Sequence, residues 1–171
     1  YYVIETPMDN FITDAIMWKY KPDIVLSNGF RFCPPLAPDP KTGIAEITMD
    51  YLWSMLPVAS EAKRGVITGK QLWDWMEKEL QNAFAKDPAK RFGGWLVRFS
   101  GMEVNFTIGN EPGKRVNTIK VKGKPVELSK QYTFVACERE GDPDTTICRV
   151  EGVSEPTRLG NTLHQIIQEY L

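Results

Sequence analysis

Residues 61–84 read EAKRGVITGKQLWDWMEKELQNAF, and this stretch decides the fold. A strand is predicted over residues 61–67, and Thr68 and Gln71 then form a T-x-x-Q capping box that starts a helix. The apolar side chains that follow recur at helical spacing, at Leu72, Trp75, Met76, Leu80 and Phe84. A strand that runs directly into an amphipathic helix indicates a domain in which helices pack on a sheet.

The residues before this stretch also alternate between helix and strand. Thr6 and Pro7 are typical of a helix start, with a hydroxyl cap and a proline in the first turn, and Pro22 is predicted to end that helix. The apolar run at 24–26 suits a buried strand that ends at an Asn-Gly turn. A proline-rich loop and a short helix over residues 48–56 lead back to residue 61.

The pattern changes to period two from residue 93 onwards. A hairpin-like pair of strands is predicted around Gly101, and further strands are predicted at residues 116–121 and 132–137. Residues 138–157 are predicted to be an acidic loop before a last helix, whose His164 we expect to be solvated or to act as a cap. The sum is a single α+β domain over residues 1–171, with mixed α/β layers.

Composition and charge exclude several classes of protein. The 171 residues carry a formal net charge of −1 and show no basic run, which argues against nucleic acid as a partner. The apolar runs are too short to span a bilayer, and residue 1 starts no signal peptide. The single histidine and the absence of a CxxC motif predict no metal site and no catalytic residue in this chain. A disulfide between Cys137 and Cys148 stays open beside two buried thiols.

Four segments, in this order, resemble the C-terminal domain of the 5′-nucleotidase family. Helix caps and apolar strands are common individually, but four such segments in register over most of the chain are much more specific. They are Glu5–Ala15 (ETPMDNFITDA), Asp23–Gly29 (DIVLSNG), Leu56-Pro57 with Val66–Leu72 (VITGKQL), and Val116–Val126 (VNTIKVKGKPV). The resemblance implies the 5′-nucleotidase C-terminal fold.

Two stretches are more similar to the SoxB branch of that family, the thiosulfohydrolases of sulfur oxidation. After the first strand the chain has Asn-Gly-Phe-Arg-Phe at 28–32, where nucleotidases carry Asn-Gly-Gly-Gly-Ile-Arg, and residues 93–102 (GGWLVRFSGM) also look like that branch. The resemblance implies an N-terminal metallophosphoesterase domain as partner, with two divalent metal ions that are absent from this chain. It also implies a periplasmic or exported protein, and a small anionic substrate or a sulfur-carrier peptide as ligand.

The resemblance and the residue chemistry together single out five candidate substrate-binding residues: Asn28, Phe30, Arg31, Arg98 and Asp142. Arg31 follows a glycine turn and can offer a fixed fork to a phosphate, sulfonate or carboxylate. Asn28 can bond a ligand or only shape its turn, and Arg98 can line the cleft or pair with an acid. Asp142 resembles the acid that contacts the sugar in nucleotidases, although Asp-Pro is also ordinary turn chemistry.

The chain departs from nucleotidases at the two positions that stack the base. Val58 stands at the first position, and the second falls near Ala136 or Cys137. Loss of both rings argues against a nucleoside unless Phe30, Phe32 or Trp95 replaces them. Two alternatives follow: a stand-alone binding module that kept the fold without the anion site, and a cysteine-based enzyme that uses Cys33 or Cys137.

Overall fold

The computed structural model describes residues 4–28, 35–93 and 95–171, and these form four α-helices and eight strands. The helices are α1 (Pro7–Tyr20), α2 (Met49–Met55), α3 (Gly69–Phe84) and α4 (Leu163–Tyr170). The strands are β1 (Ile24–Ser27), β2 (Glu61–Thr68), β3 (Arg98–Ser100), β4 (Met102–Phe106), β5 (Val116–Val121), β6 (Lys124–Pro125), β7 (Gln131–Cys137) and β8 (Ser154–Thr162). The α+β class predicted from the sequence is confirmed.

Two sheets organise the described part of the chain. The larger sheet has five strands in the order β3-β1-β7-β2-β8, and the smaller has three in the order β4-β5-β6. In the larger sheet β1 and β7 run parallel, with Val25 opposite Val135, and the other pairs are antiparallel. The parallel pair, β1 and β7, is therefore formed by strands that are far apart in the sequence.

Apolar side chains cover both faces of the larger sheet. On one face Ile24, Leu26 and Phe134 pack with α3 and with the small sheet. On the other face Val25 and Val135 pack with α1, α2 and α4. Successive residues of a strand point to opposite faces, so β1 supplies both cores and all four of its residues are buried.

The starts of α1 and α3 are those that the sequence predicts. The Thr6 hydroxyl accepts a hydrogen bond from the Asp9 N–H, and Thr68 and Gln71 form the complete capping box of α3. Lys21 ends α1 in a left-handed conformation (φ 48°) directly before Pro22. These are local interactions, which is why the short motifs suffice to place the helix ends.

The hairpin predicted around Gly101 is wrong. Both strands exist, but β3 pairs with β1 in the larger sheet and β4 pairs with β5 in the smaller one. Gly101 (φ +85°) is the point at which the chain passes from one sheet to the other. A Cβ there would lie 2.4 Å from the carbonyl oxygen of Asp23, so the site requires glycine for its conformation and for the close approach.

The loop predicted over residues 138–157 is also partly wrong, because β8 begins at Ser154 and continues to Thr162. Its pairing with β2 contains register shifts, and Glu155 (φ 53°) and Gly160 (φ 74°) interrupt regular alternation. An edge strand tolerates such irregularities, together with Pro156, since one of its sides needs no partner. The alternation of apolar and polar residues that usually predicts a strand is therefore absent from β8.

His164 is buried, with 4% of its surface exposed, so the solvated or capping imidazole expected from the sequence is wrong. Its ring stacks on Trp53 with 3.8 Å between centroids, and Thr162 is the actual cap of α4. The last helix also starts later than predicted, at Leu163 instead of directly after residue 157, because the residues up to Thr162 belong to β8.

Candidate ligand-binding site

One edge of the larger sheet collects the ends of its strands. Because β1 and β7 are parallel, Asn28 and Glu138, which directly follow them, emerge at the same edge. The strands β2 and β8 are paired so that Glu61, at the start of β2, lies opposite Thr162, at the end of β8. Ligands of open α/β sheets bind outside the carboxyl ends of parallel strands, so this edge is the natural place for a site.

A cavity of about 520 Å³ opens at this edge, and we call it the sheet-edge cavity. Its lining comes from the end of α2, from the loops after β1 and β7, from the segment before β3, and from the start of α4. The lining residues are Asn28, Met55, Leu56, Pro57, Val58, Ser60, Phe92, Trp95, Cys137, Glu138, Arg139, Glu140, Asp142, Cys148, Arg149 and Leu163. The volume is in the range of ordinary small-molecule sites.

Asn28 lines this cavity, and its side-chain amide oxygen has no hydrogen-bond partner among the described residues. Its backbone carbonyl accepts a hydrogen bond of 2.6 Å from the indole Nε1 of Trp95, which ties the segment before β3 to the end of β1. The unpartnered side-chain oxygen is buried. A buried acceptor without a partner costs about 1–3 kcal/mol, so a ligand that donates a hydrogen bond here would recover that cost.

Asp142 borders the same cavity, 4.0 Å from the Nε of Arg139. Its backbone N–H donates to the carbonyl of Arg139 (3.2 Å), which closes the turn in which both residues lie. Asn28 and Asp142, predicted as site residues from different parts of the sequence, thus line one cavity. Their roles in substrate binding stay predictions.

A charged network stands at one side of the cavity. Arg158 binds Glu138 through two N–H groups at 2.9 Å, and the buried Lys63 ammonium donates to Glu138 (3.2 Å) and Asp144 (3.0 Å). The hydrogen bonds from Arg158 hold the pKa of Glu138 below its ordinary value. Burial alone lowers the pKa of Lys63, but its bonds to Asp144 and Glu138 outweigh burial and raise it. Glu138 and Lys63 therefore stay charged at neutral pH.

Arg98 does not border the sheet-edge cavity. It is 3% exposed, and its Nε lies 3.3 Å from a carboxylate oxygen of the fully buried Asp9, while Nη1 donates to the carbonyl of Leu96 (2.6 Å). The geometry is that of a buried ion pair that joins α1 to the start of β3. The sequence left two possibilities for Arg98, to line the cleft or to pair with an acid, and these contacts show the pairing.

Phe30, Arg31, Phe32 and Cys33 lie outside the described residues, so their predicted roles stay predictions. The two positions that carry stacking rings in nucleotidases are described. Val58 and Cys137 both line the cavity, whereas Ala136 is fully buried in the sheet. The resemblance aligns two segments of this chain with the base site of nucleotidases. Their described residues Val58 and Cys137 line one cavity, and neither position carries an aromatic ring.

Sequence reasoning missed Phe92 and Arg149 as lining residues and gave Trp95 only a secondary role. Phe92 is 58% exposed, and the Arg149 guanidinium lies over the rings of Phe92 and Trp95, 5.0 and 5.2 Å from their centroids. The available signal was the pair of aromatic residues just before β3. Nothing in the sequence connects that pair with Arg149, which follows more than fifty residues later.

The described residues contain no group of three or more histidine, cysteine, aspartate or glutamate side chains that could hold a metal ion. The acids after β7 do not fit a metal site, because Glu138 and Asp144 are paired with Arg158 and Lys63. Among the same residues, no helix is long and apolar enough to cross a membrane.

Residues 2–138 match the profile of the family described as "5′-nucleotidase, C-terminal domain". This match covers most of the chain, which therefore belongs to that family. A curated relative, the trifunctional nucleotide phosphoesterase protein YfkN of Bacillus subtilis, is 28% identical over an alignment of 139 positions, and the match covers 76% of this chain and 8% of the relative.

Solved structures show the same fold. The sulfate thiohydrolase SoxB of Thermus thermophilus is similar with a TM-score of 0.76 at 20% identity, over 98% of this chain and 29% of that one. A 5′-nucleotidase precursor, also from Thermus thermophilus, has a TM-score of 0.74 at 20% identity, over 98% of this chain and 32% of that one. The NAD nucleotidase of Haemophilus influenzae has a TM-score of 0.69 at 14% identity, over 95% of this chain and 29% of that one. The chain thus spans about a third or less of these relatives.

Proposed function

We propose that this chain is the substrate-binding domain of a two-domain, metal-dependent hydrolase of the 5′-nucleotidase or SoxB type. It binds an anionic substrate, a phosphate ester or an S-sulfonate, and orients it toward a dinuclear metal centre in an N-terminal metallophosphoesterase domain. Membership of the family supports the proposal, and so does the length of the solved relatives, of which this chain matches only about a third or less. The chemistry of such a centre is activation of water by two metal ions.

The observation that carries the proposal is the unpartnered amide oxygen of Asn28 in the sheet-edge cavity. It lies at the end of a buried parallel strand and lines the same cavity as a carboxylate, Asp142, that belongs to a different loop. An acceptor and a carboxylate together can bind the hydroxyl or amino groups of a ligand. Arg31, three residues after Asn28 in the sequence, is the proposed group for the anion.

The substrate class rests on the positions of the missing rings. Val58 and Cys137 cannot stack a base between two aromatic faces, which weakens the case for a nucleotide and favours a smaller anion such as an S-sulfonate. Trp95 and Phe92 still provide aromatic surface in the cavity, and the curated relative is by name a nucleotide phosphoesterase. Both substrate classes therefore enter the test.

The test is a titration of the chain with AMP, sulfate and a peptide that carries a cysteine S-sulfonate, followed by calorimetry or NMR. We expect at least one of these ligands to bind. Arg31→Ala should weaken binding about tenfold or more, because a charge-assisted hydrogen bond is worth about 1.5–3 kcal/mol. Asn28→Ala should weaken it less, since it removes a neutral hydrogen bond.

Arg64→Ala is the matched control. Arg64 is exposed on β2 and does not line the cavity, so its loss should leave the affinity unchanged. If no ligand binds, or if Arg31→Ala and Arg64→Ala behave alike, the chain is better described as a binding module that kept the fold without the anion site. An exported location, which the word "precursor" in the name of one solved relative suggests, belongs to the same proposal.

A further inference from the structure

Arg149 is a second cation of the sheet-edge cavity, and the proposed function does not use it. It follows β7 in a turn closed by mutual hydrogen bonds between Ile147 and Val150. Cys148 and Arg149 both have positive φ values (49° and 68°), so the backbone bends sharply at this point. Non-glycine residues adopt this conformation at a cost, and such positions are found where a side chain has to be directed to a particular place.

The guanidinium is held on several sides. Its Nη1 donates to a carboxylate oxygen of Glu79 at 2.9 Å, and Glu79 is fully buried on α3, where its other oxygen accepts from Asn82 (3.2 Å). The rings of Phe92 and Trp95 lie beside the guanidinium, about 5 Å from its central carbon. A cation held by a buried carboxylate and two rings loses little further freedom when it binds a ligand.

Most of its hydrogen-bonding capacity is left over. An arginine has five N–H groups, and Nε and Nη2 of Arg149 make no hydrogen bond to the described residues. The side chain, 16% exposed, lines the same cavity as Asn28 and Asp142. A planar fork with adjacent donors matches two oxygens of a phosphate, a sulfonate or a carboxylate.

We propose that Arg149 is an oxyanion-binding residue of the sheet-edge cavity, with Nε and Nη2 donating to the ligand while Glu79, Phe92 and Trp95 hold the guanidinium in place. The inference rests on the proposed function and extends it: the ligand carries a tetrahedral oxyanion, a phosphate or a sulfonate, that Arg149 binds. Because Glu79 neutralises only one edge of the guanidinium, the other edge keeps its donors for the anion.

The experiment compares three forms of the chain: native, Glu79→Gln, and the double variant Glu79→Gln/Arg149→Gln. Arg149→Gln alone would leave the buried Glu79 carboxyl without its cation, which can destabilise the fold. In the double variant both side chains are neutral amides. Each form is titrated with inorganic phosphate, sulfate, acetate and AMP, and circular dichroism verifies that each form is folded.

We expect Glu79→Gln to bind phosphate or sulfate more weakly than the native chain, because the guanidinium loses the carboxylate that holds it, but still to bind, because Arg149 is present. The double variant should bind at least about tenfold more weakly, since it lacks a charge-assisted contact. In the native chain, the side-chain N–H signals of Arg149 should shift during the titration in ¹H–¹⁵N NMR spectra. Acetate distinguishes a carboxylate ligand from a tetrahedral oxyanion, and tighter binding of acetate than of phosphate and sulfate would contradict the proposed ligand class.

Equal affinity of the double variant and Glu79→Gln would overturn the inference, as would Arg149 signals that do not move at saturation. If Arg31→Ala and Asn28→Ala lose binding while the double variant retains it, the proposed function stands and the role of Arg149 falls. If the native chain binds none of the anions, both fall together.

Discussion

At the residue scale, His164 shows how burial sets the chemistry of a side chain. It is the only histidine in the chain, and it is almost completely buried against Trp53. Burial lowers its pKa below the ordinary value of 6.5, and the backbone of Leu56 offsets only part of the shift. Between the lowered pKa and 6.5, the unfolded chain holds a proton that the folded chain does not. The contribution of the neutral His164 to the free energy of unfolding is therefore fully present above pH 6.5. It is lost as the pH falls from 6.5 through the lowered pKa.

This linkage predicts a titration that NMR can follow without ambiguity, because one imidazole gives one set of signals. We expect a midpoint below 6.5 and a free energy of unfolding, measured in urea, that decreases between pH 7 and the midpoint. His164→Phe keeps a ring against Trp53 and should remove this part of the pH dependence. A midpoint at 6.5 or above would show that the folded structure does not penalise the imidazolium.

Arg98 and Arg149 show why residue identity alone does not assign a role. Arg98, a candidate for substrate binding, lies in a buried pair with Asp9, which precedes it by 89 residues. Arg149, which the sequence does not single out, lies in the cavity beside Glu79, which precedes it by 70 residues. Each arginine contacts an acid that is distant in the sequence, so no local motif could have separated the two.

At the scale of the elements, Gly101 joins two sheets, and its replacement should be costly. Gly101→Ala places a methyl group 2.4 Å from the Asp23 carbonyl oxygen, in addition to the strain of φ +85°. Left-handed strain alone costs about 1–3 kcal/mol. We expect a larger loss than that in the free energy of unfolding, measured in urea, because backbone atoms must also move.

Gly113→Ala is the control for this prediction. Gly113 has a similar φ of +81°, but an added Cβ meets nothing within 4 Å. Gly113→Ala should therefore lower the free energy of unfolding only by the cost of left-handed strain. Equal losses for the two substitutions would show that the passage between the sheets does not depend on close contact at Gly101.

The elements that the sequence predicts are those with local causes. The caps at Thr6 and Thr68 act within one helical turn, and the short apolar runs of β1 and β7 are typical of strands buried on both faces of a sheet. The pattern does not reveal β8, because an edge strand with bulges loses the alternation that marks a strand.

At the scale of the whole molecule, the proposal divides binding from catalysis. We expect the 171-residue chain to bind its anion but not to hydrolyse AMP or a cysteine S-sulfonate, even with Mn²⁺ or Zn²⁺ added. A dinuclear centre needs several histidine, aspartate and asparagine ligands close together, and the chain has one histidine, which is buried. The assay measures released phosphate or sulfate, with a two-domain 5′-nucleotidase as the positive control. Hydrolysis that a chelator abolishes would contradict this division.

The sequence by itself determined the α+β class, the helix starts capped by Thr6 and Thr68, and the resemblance to the 5′-nucleotidase C-terminal domain, and all of these are confirmed. Such properties come from short motifs and from the period of apolar residues, which act over a few positions. The sheet order, the sheet-edge cavity and the lining by Arg149 were decided by the tertiary structure alone. They depend on the parallel pairing of β1 and β7, strands about a hundred residues apart, and that pairing forms only when both faces of the sheet are buried at once.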